Sequence, residues 1–576
     1  MSLRHDYQGV HFLRLRGSFL ERVKAHGELL SQEILDGPIP VLAEKNQWLI
    51  RRAPGLIRKN KLLQEFLVKA YENGLMRRLE MKMDPQIRSI LKTMSESTGL
   101  SYKTCRDAYF QPEALMLLAR IFLGSVFFRN LASQGLMGLP GCTSGVALKE
   151  TTGSGNLLVG RNLDYPIVGP WEKHPTIAFH EPTEKGRIPH VAIGSAGVFT
   201  AGLTSMNREG LTLSAHSHLG RRASFDGSMI TSIGDEIISR AKNLDQAISI
   251  AKRHRRHGNW SFVIASAKED AAIVLEMDPS RTRIRHPENG FLSHSNYFFA
   301  PELRKTELSL AGAYAEDLVA RRCQMRDSLE DKRGAFGPQD MARILGNMED
   351  PLTGEERAYG HTVAVVTTVT SVVMEPVTQR FWVSIRNATP VGLVGPFMQI
   401  DIDSFWKDRE SGRDLSQQPT IPGYQPKNPG VVKASGHFRQ AYIANQMSHD
   451  DPDYLQTTLG HLQSAIKELP TDGNLFLGAG VLSLQVGEIA QAKDYFESAL
   501  KLKLTPHITQ VCQLYLARCL DLLGDRNEAL AIYRQSRQVP DRKLARAFKA
   551  GTKRAFRPKD IERVLIDLQY PDTLSY

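Results

Sequence analysis

Two stretches rich in small and apolar residues flank a short polar turn near the first quarter of the chain. The stretches are Cys142–Lys149 and Leu157–Tyr165, and residues 151–156 between them read Thr-Thr-Gly-Ser-Gly-Asn. Gly, Ser and Asn between two strand-like runs are typical of a β-hairpin. This feature constrains the fold most, because it predicts an antiparallel sheet whose first strand begins with a cysteine directly after a glycine.

The texture of the chain changes at this hairpin. Residues 1–141 predict a mainly helical segment after a short strand at 8–16, with Ser18 and Glu21 forming a capping box. Residues 142–407 alternate hairpins with helices, including one helix from Met229 to about Arg255. This order is typical of an α+β domain in which helices cover antiparallel sheets.

The last third of the chain predicts helices only. Residues 408–432 are rich in Pro, Gly, Ser and Gln and are interpreted as a linker. In residues 433–541, Gly487, Ala492 and Phe496 recur as Gly524, Ala529 and Tyr533, at a constant offset of 37. Small residues and an aromatic repeating at about this period resemble tetratricopeptide repeats, although an ordinary helical hairpin is the alternative. A few such repeats can form a groove for a peptide or for another part of the same chain.

Residues 542–576 form a basic tail. Its positive charges are interpreted as a solvated helix face, because no aromatic interleaving or known nucleic-acid module accompanies them. The net charge of +11 permits anionic partners but identifies none, and no specific nucleic-acid partner is expected. The N-terminus lacks the pattern of a signal peptide, and no apolar run is long enough to span a bilayer.

The five cysteines are odd in number and scattered, which favours a reducing compartment, and we expect a cytoplasmic protein. No pair of cysteines has metal-ligand spacing. His216 and His218 share one strand face without Cys or acidic companions, so no metal site is expected. The chemistry considered below requires no organic cofactor.

Cys142 has two interpretations. Free cysteine is often a buried structural residue. If the Gly141–Cys142 bond were cut, however, Cys142 would carry its own general base, because a free α-amino group has a pKa of roughly 7.7–8.0. The Gly-rich stretch that ends at Gly141 is typical of an accessible loop, in which such a bond can be reached.

The residues around Cys142 resemble a known family. Gly-Cys-Thr-Ser at 141–144 and Gly-Arg-Asn-Leu-Asp-Tyr at 160–165 are similar to motifs of the N-terminal-nucleophile hydrolases. Within these, they resemble the acyl-coenzyme A:isopenicillin N acyltransferase group (the C45 peptidase family) and the related choloylglycine hydrolases. The Met-Asn-x-x-Gly-Leu turn at 206–211 and the Asn-bearing strand at 294–296 agree with this resemblance, which covers about residues 10–400. It implies an αββα sandwich as the fold of the core.

The resemblance also implies roles for individual residues. Cys142 would be the nucleophile, Arg161 would favour its thiolate, and Asp164 would accept a hydrogen bond from its α-amino group. The side-chain amide of Asn296 would stabilise the oxyanion. A second oxyanion donor stays open among His216, Ser217 and a backbone N–H. The late arginine of the family corresponds to either Arg321 or Arg322.

The predicted function is therefore an autocatalytically processed cysteine hydrolase or acyltransferase. Cleavage would separate a chain of about residues 1–141 from one that starts at Cys142. The second chain would attack a non-peptide C–N amide bond of an N-acylated amine or amino acid with an apolar acyl group. Four aromatic residues, Tyr165, Trp171, Phe179 and Phe199, either line the acyl pocket or only pack.

Two alternatives remain at the level of sequence. In one, the front domain is an inactive scaffold and the repeats bind a protein or peptide partner. In the other, the thioester passes to a specific amine instead of water, which needs a site that keeps water out. The substrate's acyl and amine parts and the oligomeric state are not predicted.

Overall fold

The structure is a computed structural model that describes residues 2–51, 60–123, 141–308, 312–384, 394–403, 418–447, 451–535, 540–573 and 576. The predicted hairpin forms between strands β3 (Cys142–Ala147) and β4 (Leu158–Asp164). Cys142 pairs with Leu163 and Ser144 with Arg161 in an antiparallel register. Of the Gly-rich stretch before Cys142, only Gly141 lies within the described residues, and residues 408–417 of the predicted linker also lie outside them.

Nine strands form the first sheet, and all neighbours are antiparallel except β2 and β5, which are parallel. In sheet order these strands are β1 (Leu3–Tyr7), β2 (Val10–Gly17), β5 (Pro175–Pro182), β6 (His190–Ser195), β7 (Thr204–Asn207), β8 (Leu211–His218), β9 (Asn259–Ser266), β10 (Ala271–Met277) and β11 (Thr282–Arg285). The N-terminal segment therefore contributes two strands to the core sheet, in addition to its helices.

Seven strands form the second sheet, which carries Cys142. Its order is β12 (Phe291–His294), β3 (Cys142–Ala147), β4 (Leu158–Asp164), β15 (Thr368–Glu375), β16 (Arg380–Ser384), β17 (Phe397–Asp401) and β18 (Thr420–Ile421). Two small hairpins lie apart from the sheets: β13 (Glu349–Asp350) with β14 (Glu355–Glu356), and β19 (Ile566–Asp567) with β20 (Asp572–Thr573).

The two sheets pack face to face. Apolar side chains that alternate along strands of both sheets, such as Phe12, Val159 and Val372, form one buried cluster between them. Helices α9 (Ile230–Arg240) and α10 (Leu244–Arg253) cover the outer face of the first sheet. Helices α12 (Ala313–Glu330) and α13 (Pro338–Leu345) cover the outer face of the second. The predicted α+β class is confirmed, and the layers follow the order helix, sheet, sheet, helix.

Further helices precede and connect these layers. They are α1 (Phe19–Leu29), α2 (Ser31–Leu35), α3 (Pro38–Arg51), α4 (Lys61–Ala70), a π-helical turn (Tyr71–Met76), α5 (Arg77–Met81), α6 (Pro85–Thr98), α7 (Tyr102–Leu123), α8 (Pro170–Lys173) and α11 (Pro301–Arg304). The predicted capping box is present, since the Ser18 hydroxyl accepts from the Glu21 N–H and the Glu21 carboxylate accepts from the Ser18 N–H.

The prediction of one helix from Met229 to about Arg255 is wrong, because two helices occupy this range. The helix ends at Arg240 and a new one begins at Leu244. Asn243 causes the break, because its side chain accepts a hydrogen bond from the Gln246 N–H and so caps a second helix. Apolar periodicity continues through the cap and conceals it in the sequence.

The C-terminal third consists of helices that pack against their neighbours in sequence, followed by a short hairpin. The helices are α14 (Gly430–Met447), α15 (Tyr454–Glu468), α16 (Gly473–Val486), α17 (Ile489–Leu500), α18 (Pro506–Leu523), α19 (Arg526–Gln535) and α20 (Arg542–Lys553). Gly480 lies against the ring of Phe496, where a Cβ would come within 2.8 Å of the ring. The residues interpreted as a basic tail form α20, a 3-10 helix (Pro558–Arg563) and the hairpin β19–β20.

One buried apolar cluster runs through both parts of the molecule. It includes Cys142 and Met325 from the sandwich, and Leu477, Tyr515 and Leu568 from the C-terminal helices and hairpin. None of the helices within the described ranges combines the length and apolar character that a membrane-spanning segment needs.

Candidate active site

Cys142 lies at the start of β3, and its thiol is buried, with 1% of the residue exposed. Burial raises the pKa of the thiol, while the charge of Arg161 and a hydrogen bond from it act in the opposite direction. Burial alone therefore keeps the thiol protonated, and Arg161 is the cation that favours the thiolate. The sequence predicts Arg161 beside Cys142, and the structure brings the two together.

The peptide bond between Gly141 and Cys142 is bound at both ends. The carbonyl oxygen of Gly141 accepts a hydrogen bond from the Asp164 N–H at 2.9 Å. The Cys142 N–H donates to Oδ1 of Asn296 at 2.6 Å. Both partners come from residues singled out in the sequence. The antiparallel pairing of β3 and β4 places the first, and the strand end after β12 places the second.

In this structure the oxygen of Asn296 faces Cys142, and its Nδ2 donates to the Ser217 carbonyl at 2.9 Å. The role of Asn296 as an oxyanion donor stays a prediction, because its NH2 group carries two N–H donors and only one contact is formed here. The Gly141 carbonyl accepts from the backbone N–H of Asp164, a backbone group of the kind that the sequence leaves open.

Asp164 is fully buried next to two polar side chains. Its Oδ1 accepts from the Thr368 hydroxyl at 2.6 Å, and its Oδ2 lies 3.7 Å from Nη1 of Arg321 and has no hydrogen-bond partner. Burial raises the pKa of Asp164 to about 6, against the lowering effects of Arg321 and Thr368. A Cβ on Gly141 would lie 3.4 Å from Oδ2, so this unsatisfied oxygen faces the candidate cleavage point.

The structure distinguishes Arg321 from Arg322. On α12, Arg321 donates from Nη1 to the Cys142 carbonyl at 3.1 Å and to the Thr143 hydroxyl at 2.8 Å. Its Nε donates to Asp317 one helical turn earlier, at 2.8 Å. Arg322 points elsewhere, with its guanidinium 4.3 Å from the centre of the Phe299 ring. Of these two arginines, Arg321 is the one that contacts Cys142.

His216 and Ser217 contact side chains that themselves bind Cys142. Nε2 of His216 lies 2.9 Å from the Ser144 hydroxyl and 3.2 Å from Nη1 of Arg161. Burial and the neighbouring positive charge of Arg161 lower the pKa of His216 well below its usual value, so the ring is neutral. Ser217 contributes its carbonyl oxygen to Asn296. These contacts orient Arg161 and Asn296.

Three contacts of this site are missed in the sequence. Asp317 accepts a hydrogen bond from Arg321, the Thr143 hydroxyl accepts another from Arg321, and the Thr368 hydroxyl donates to Asp164. Asp317 precedes Arg321 by four residues on one helix, which is the only local signal that points to a pair. Thr143 follows Cys142 directly, and Thr368 is more than two hundred residues from Asp164, so only the pairing of β4 with β15 reveals the last contact.

An apolar cavity opens beside Cys142 and encloses about 100 Å³. Its walls come from the N-terminal helices, the β3–β4 hairpin and the first sheet, and they include Ile39, Leu42, Tyr109, Leu163, Tyr165, Trp171, Phe199, Leu203 and Trp260. Of the four aromatic residues considered in the sequence, Tyr165, Trp171 and Phe199 line the cavity. Phe179 instead packs in the cluster between the two sheets. Within the described residues, no three His, Cys, Asp or Glu side chains cluster closely enough to hold a metal ion.

Comparison with known proteins agrees with part of the resemblance. The model of the family described as acyl-coenzyme A:6-aminopenicillanic acid acyl-transferase matches residues 151–389. This range contains Arg161, Asp164, Asn296 and Arg321 but begins after Cys142. The match supports an N-terminal-nucleophile type of amide hydrolase or acyltransferase. No curated protein matches the chain.

Two solved structures share weak similarity with the chain. An N-acylethanolamine-hydrolyzing acid amidase ortholog from Caenorhabditis elegans is 17% identical, with 41% of this chain and 93% of that chain covered and a TM-score of 0.28. A mutant of conjugated bile acid hydrolase from Clostridium perfringens is 11% identical, with 50% of this chain and 97% of that chain covered and a TM-score of 0.30. TM-scores this low support no conclusion about the fold or function of this chain.

Proposed function

We propose that this chain is the precursor of a cysteine N-terminal-nucleophile enzyme that cleaves itself between Gly141 and Cys142. The observation that carries the proposal is the double anchoring of this one peptide bond beside a cysteine thiol. The Gly141 carbonyl is bound by the Asp164 N–H, and the Cys142 nitrogen is bound by Asn296. A carbonyl that is already hydrogen-bonded to a fixed donor is ready to take negative charge.

In the first stage, Sγ of Cys142 attacks the carbonyl carbon of Gly141. Negative charge develops on the carbonyl oxygen at the Asp164 N–H, and the C–N bond breaks as the nitrogen takes up the thiol proton. A thioester results, which water hydrolyses to release a carboxylate at Gly141 and a free Cys142. The resulting chains comprise about residues 1–141 and residues 142–576.

The released α-amino group then serves as the general base for its own thiol. The unsatisfied Oδ2 of Asp164 is the acceptor that faces it, and Oδ1 of Asn296 is the second. Arg161 favours the thiolate, and Arg321 holds the Cys142 carbonyl and Thr143, which orients the first two residues of β3. Arg161, Asp164 and Arg321 are all buried, so solvent screens their charges little.

In the second stage, Sγ attacks the carbonyl of a substrate amide, the amine leaves with a proton, and an acyl thioester remains on Cys142. Water converts this thioester to a carboxylic acid, or an amine converts it to a new amide. The cavity beside Cys142 is apolar and mostly aromatic and aliphatic, so it suits the acyl part of an N-acylated amine or amino acid. The proposed substrates therefore carry apolar acyl groups on a non-peptide C–N bond.

Intact-mass measurement of the purified wild type and the Cys142→Ala variant tests the first stage. We expect two chains divided between Gly141 and Cys142 in the wild type and one uncut chain in the variant. A split at the same bond in Cys142→Ala would refute the role of the thiol. An uncut wild type that stays uncut at every pH tested would refute the processing.

The second stage is tested with fluorogenic N-acyl-aminocoumarin amides of increasing acyl length. We expect release of the amine by the processed wild type only, with longer apolar chains favoured over acetyl. Addition of an amine acceptor separates transfer from hydrolysis, because transfer yields a new amide in place of the acid. Processed enzyme that releases no amine from any amide of the series would contradict the proposed substrate class.

A further inference from the structure

The helix that carries Arg321 starts at a contact with the far end of the chain. Helix α12 begins at Ala313, whose N–H donates to Oδ2 of Asp572 at 3.1 Å. Asp572 belongs to the C-terminal hairpin β19–β20, more than 250 residues away in sequence. The first N–H groups of a helix have no partner within the helix, and a carboxylate there is favoured by both hydrogen bonding and the helix dipole.

Asp572 is itself fixed by neighbours. Oδ2 lies 2.8 Å from Nε2 of His507, and Oδ1 accepts from the Tyr576 hydroxyl at 2.7 Å. Burial lowers the pKa of His507, but the hydrogen bond and the charge of Asp572 raise it above its ordinary value and so favour the protonated ring. Asp572 is 7% exposed. The carboxylate is thus oriented by groups from helix α18 and from the C-terminal residue.

The backbone before α12 fits closely around this carboxylate. The residue preceding Ala313 is Gly312, with φ of +77°, and a Cβ there would overlap Oδ2 of Asp572 and lie 2.7 Å from Nε2 of His507. Only glycine combines this left-handed conformation with the missing Cβ. The close approach of the helix start to Asp572 therefore depends on glycine at this position.

Ala313, Asp317 and Arg321 follow one another at intervals of four residues, so they share one face of α12. Ala313 lies one helical turn before Asp317, and Arg321 lies one turn after it. Arg321 donates to Asp317 and to the Cys142 carbonyl. A second contact supports the same turn, since the Thr505 hydroxyl donates to Glu316 at 3.0 Å. Tyr570 of the hairpin packs edge-on against Tyr314, with 4.9 Å between ring centres.

We propose that Asp572 is a positioning residue for Arg321. By capping α12 from the C-terminal hairpin, Asp572 fixes the position and the axis direction of this helix, whose Arg321 guanidinium contacts Cys142. The C-terminal helices then support the active site of their own chain. Thr505 and the hairpin contact α12 directly, and His507 holds Asp572. The inference rests on the proposed function for its catalytic consequence, but its structural part can be measured separately.

The test compares Asp572→Ala and Asp572→Asn in the full chain with Asp521→Asn as the matched control. Asp521 is also a buried carboxylate of the C-terminal helices, and it binds Tyr533 and the Phe556 N–H without contacting α12. The Asp572→Asn variant keeps an oxygen for the Ala313 N–H but loses the charge opposite His507. It also provides a usable variant if alanine prevents folding.

Hydrogen–deuterium exchange of the amides of residues 313–330 gives the readout that is independent of activity. We expect faster exchange there in Asp572→Ala, a smaller increase in Asp572→Asn, and none in Asp521→Asn. With the aminocoumarin amide as substrate, we expect kcat to fall about ten- to hundredfold in Asp572→Ala with KM changed less than about threefold. Misplacement of Arg321 affects the reacting Cys142 and leaves the apolar cavity intact.

Wild-type exchange and kcat in both Asp572 variants would overturn the proposal. Equal losses in Asp521→Asn would also overturn it, because they would indicate general loosening of the C-terminal helices. If the wild type neither splits nor releases amine, the proposed function fails. Exchange then decides the inference alone: an increase confined to α12 in the Asp572 variants supports the cap, and its absence refutes it.

Discussion

At the scale of residues, the site depends on charges that are buried and matched. Asp164, Arg161, Arg321 and Asp317 each have at most 1% of the residue exposed. Such charges are costly unless they are paired, and removal of one partner leaves the other unsatisfied. Arg321 meets this condition through Asp317 and Asp164, and the charges of these carboxylates outweigh burial and raise its pKa further above its ordinary value, so it stays protonated.

Asp164 contributes an acid limb to the pH dependence of activity. Its pKa is raised from 3.8 to about 6 by burial, so the carboxylate is ionised above about pH 6 and protonated below it. Protonation of the α-amino base, with an ordinary pKa of roughly 7.7–8.0, lowers the rate first. An ionised Asp164 is needed to hold that amino group, so the decline in amide cleavage by the processed enzyme should steepen as the pH drops through about 6. The pH profile of kcat/KM measures this limb.

The variant Thr368→Val tests the assignment of that limb. The Thr368 hydroxyl donates to Asp164 and lowers its pKa, so its removal should move the acid limb to higher pH by about one unit. Val has nearly the shape of Thr, which leaves the packing intact. Ser371→Ala is the control, because Ser371 lies on the same strand but bonds Asn162. An unchanged limb in Thr368→Val would assign it to another group.

The sequence does not determine which of two neighbouring arginines faces the site. Arg321 and Arg322 have the same chemistry and differ by one position on a helix, which is a rotation of about 100°. Neither composition nor spacing fixes the rotation of a helix about its axis. The packing of α12 on the second sheet does, and it turns Arg321 toward Cys142 and Arg322 toward Phe299.

At the scale of elements, the β3–β4 hairpin is positioned by two helices that pack on paired glycines. Gly145 and Gly160 oppose each other in the ladder. A Cβ on Gly145 would lie 2.5 Å from Sδ of Met325 on α12, and one on Gly160 would overlap Sδ of Met341 on α13. The absence of side chains lets both helices approach the hairpin that carries the nucleophile.

Gly160→Ala should therefore destabilise the fold by about 1–3 kcal/mol, because the added methyl group overlaps Met341. The midpoint of urea unfolding measures the loss. In a Met341→Ala background, which is itself destabilised by loss of a buried side chain, the added cost of Gly160→Ala should be smaller, since the shortened side chain frees the space. Gly74→Ala is the control, because nothing lies within 4 Å of the Cβ position at Gly74. Equal stability of Gly160→Ala and the wild type would contradict the close packing.

At the scale of the whole molecule, the C-terminal helices and the sandwich share their interior. Asp472, at the start of α16, accepts from Arg357 at 3.0 Å and from the N–H groups of Ala358 and Tyr359 at 2.9 and 3.1 Å. Arg357 and Asp472 are both 0% exposed at their side chains. This contact and the apolar cluster that crosses both parts predict that they unfold together.

Asp472→Ala should lower the free energy of unfolding by about 3–5 kcal/mol, because it leaves the Arg357 guanidinium and two backbone N–H groups buried without their partner. A single transition at a lower midpoint is expected in calorimetry. Glu468→Ala removes a half-exposed ion pair with Lys433 and should cost less than about 1 kcal/mol. Two separate transitions in the wild type would show that the parts fold independently.

The tetratricopeptide-like character of residues 433–541 stays a prediction, as does a partner for these helices. The regular offset of 37 residues indicates stacked helices, and α16 to α19 do pack in consecutive pairs. The sequence predicts a basic tail at residues 542–576, with Arg542 to Lys559 as a solvated helix face, and does not anticipate that the last part of this tail enters the interior. Asp567 and Tyr570 contact Tyr359, whose hydroxyl donates to the Tyr570 carbonyl at 2.6 Å.

The sequence by itself determined the hairpin, the α+β class and the residues that can do chemistry at its end. These follow from local rules, since alternation, turn residues and a Gly-Cys pair act over a few positions. Only the tertiary structure decided that Thr368 meets Asp164, that Asn296 presents its oxygen, that Arg321 faces the nucleophile, and that Asp572 caps its helix. Those choices depend on strand pairing and helix rotation between segments far apart in the chain, which packing of the whole interior sets and no local pattern encodes.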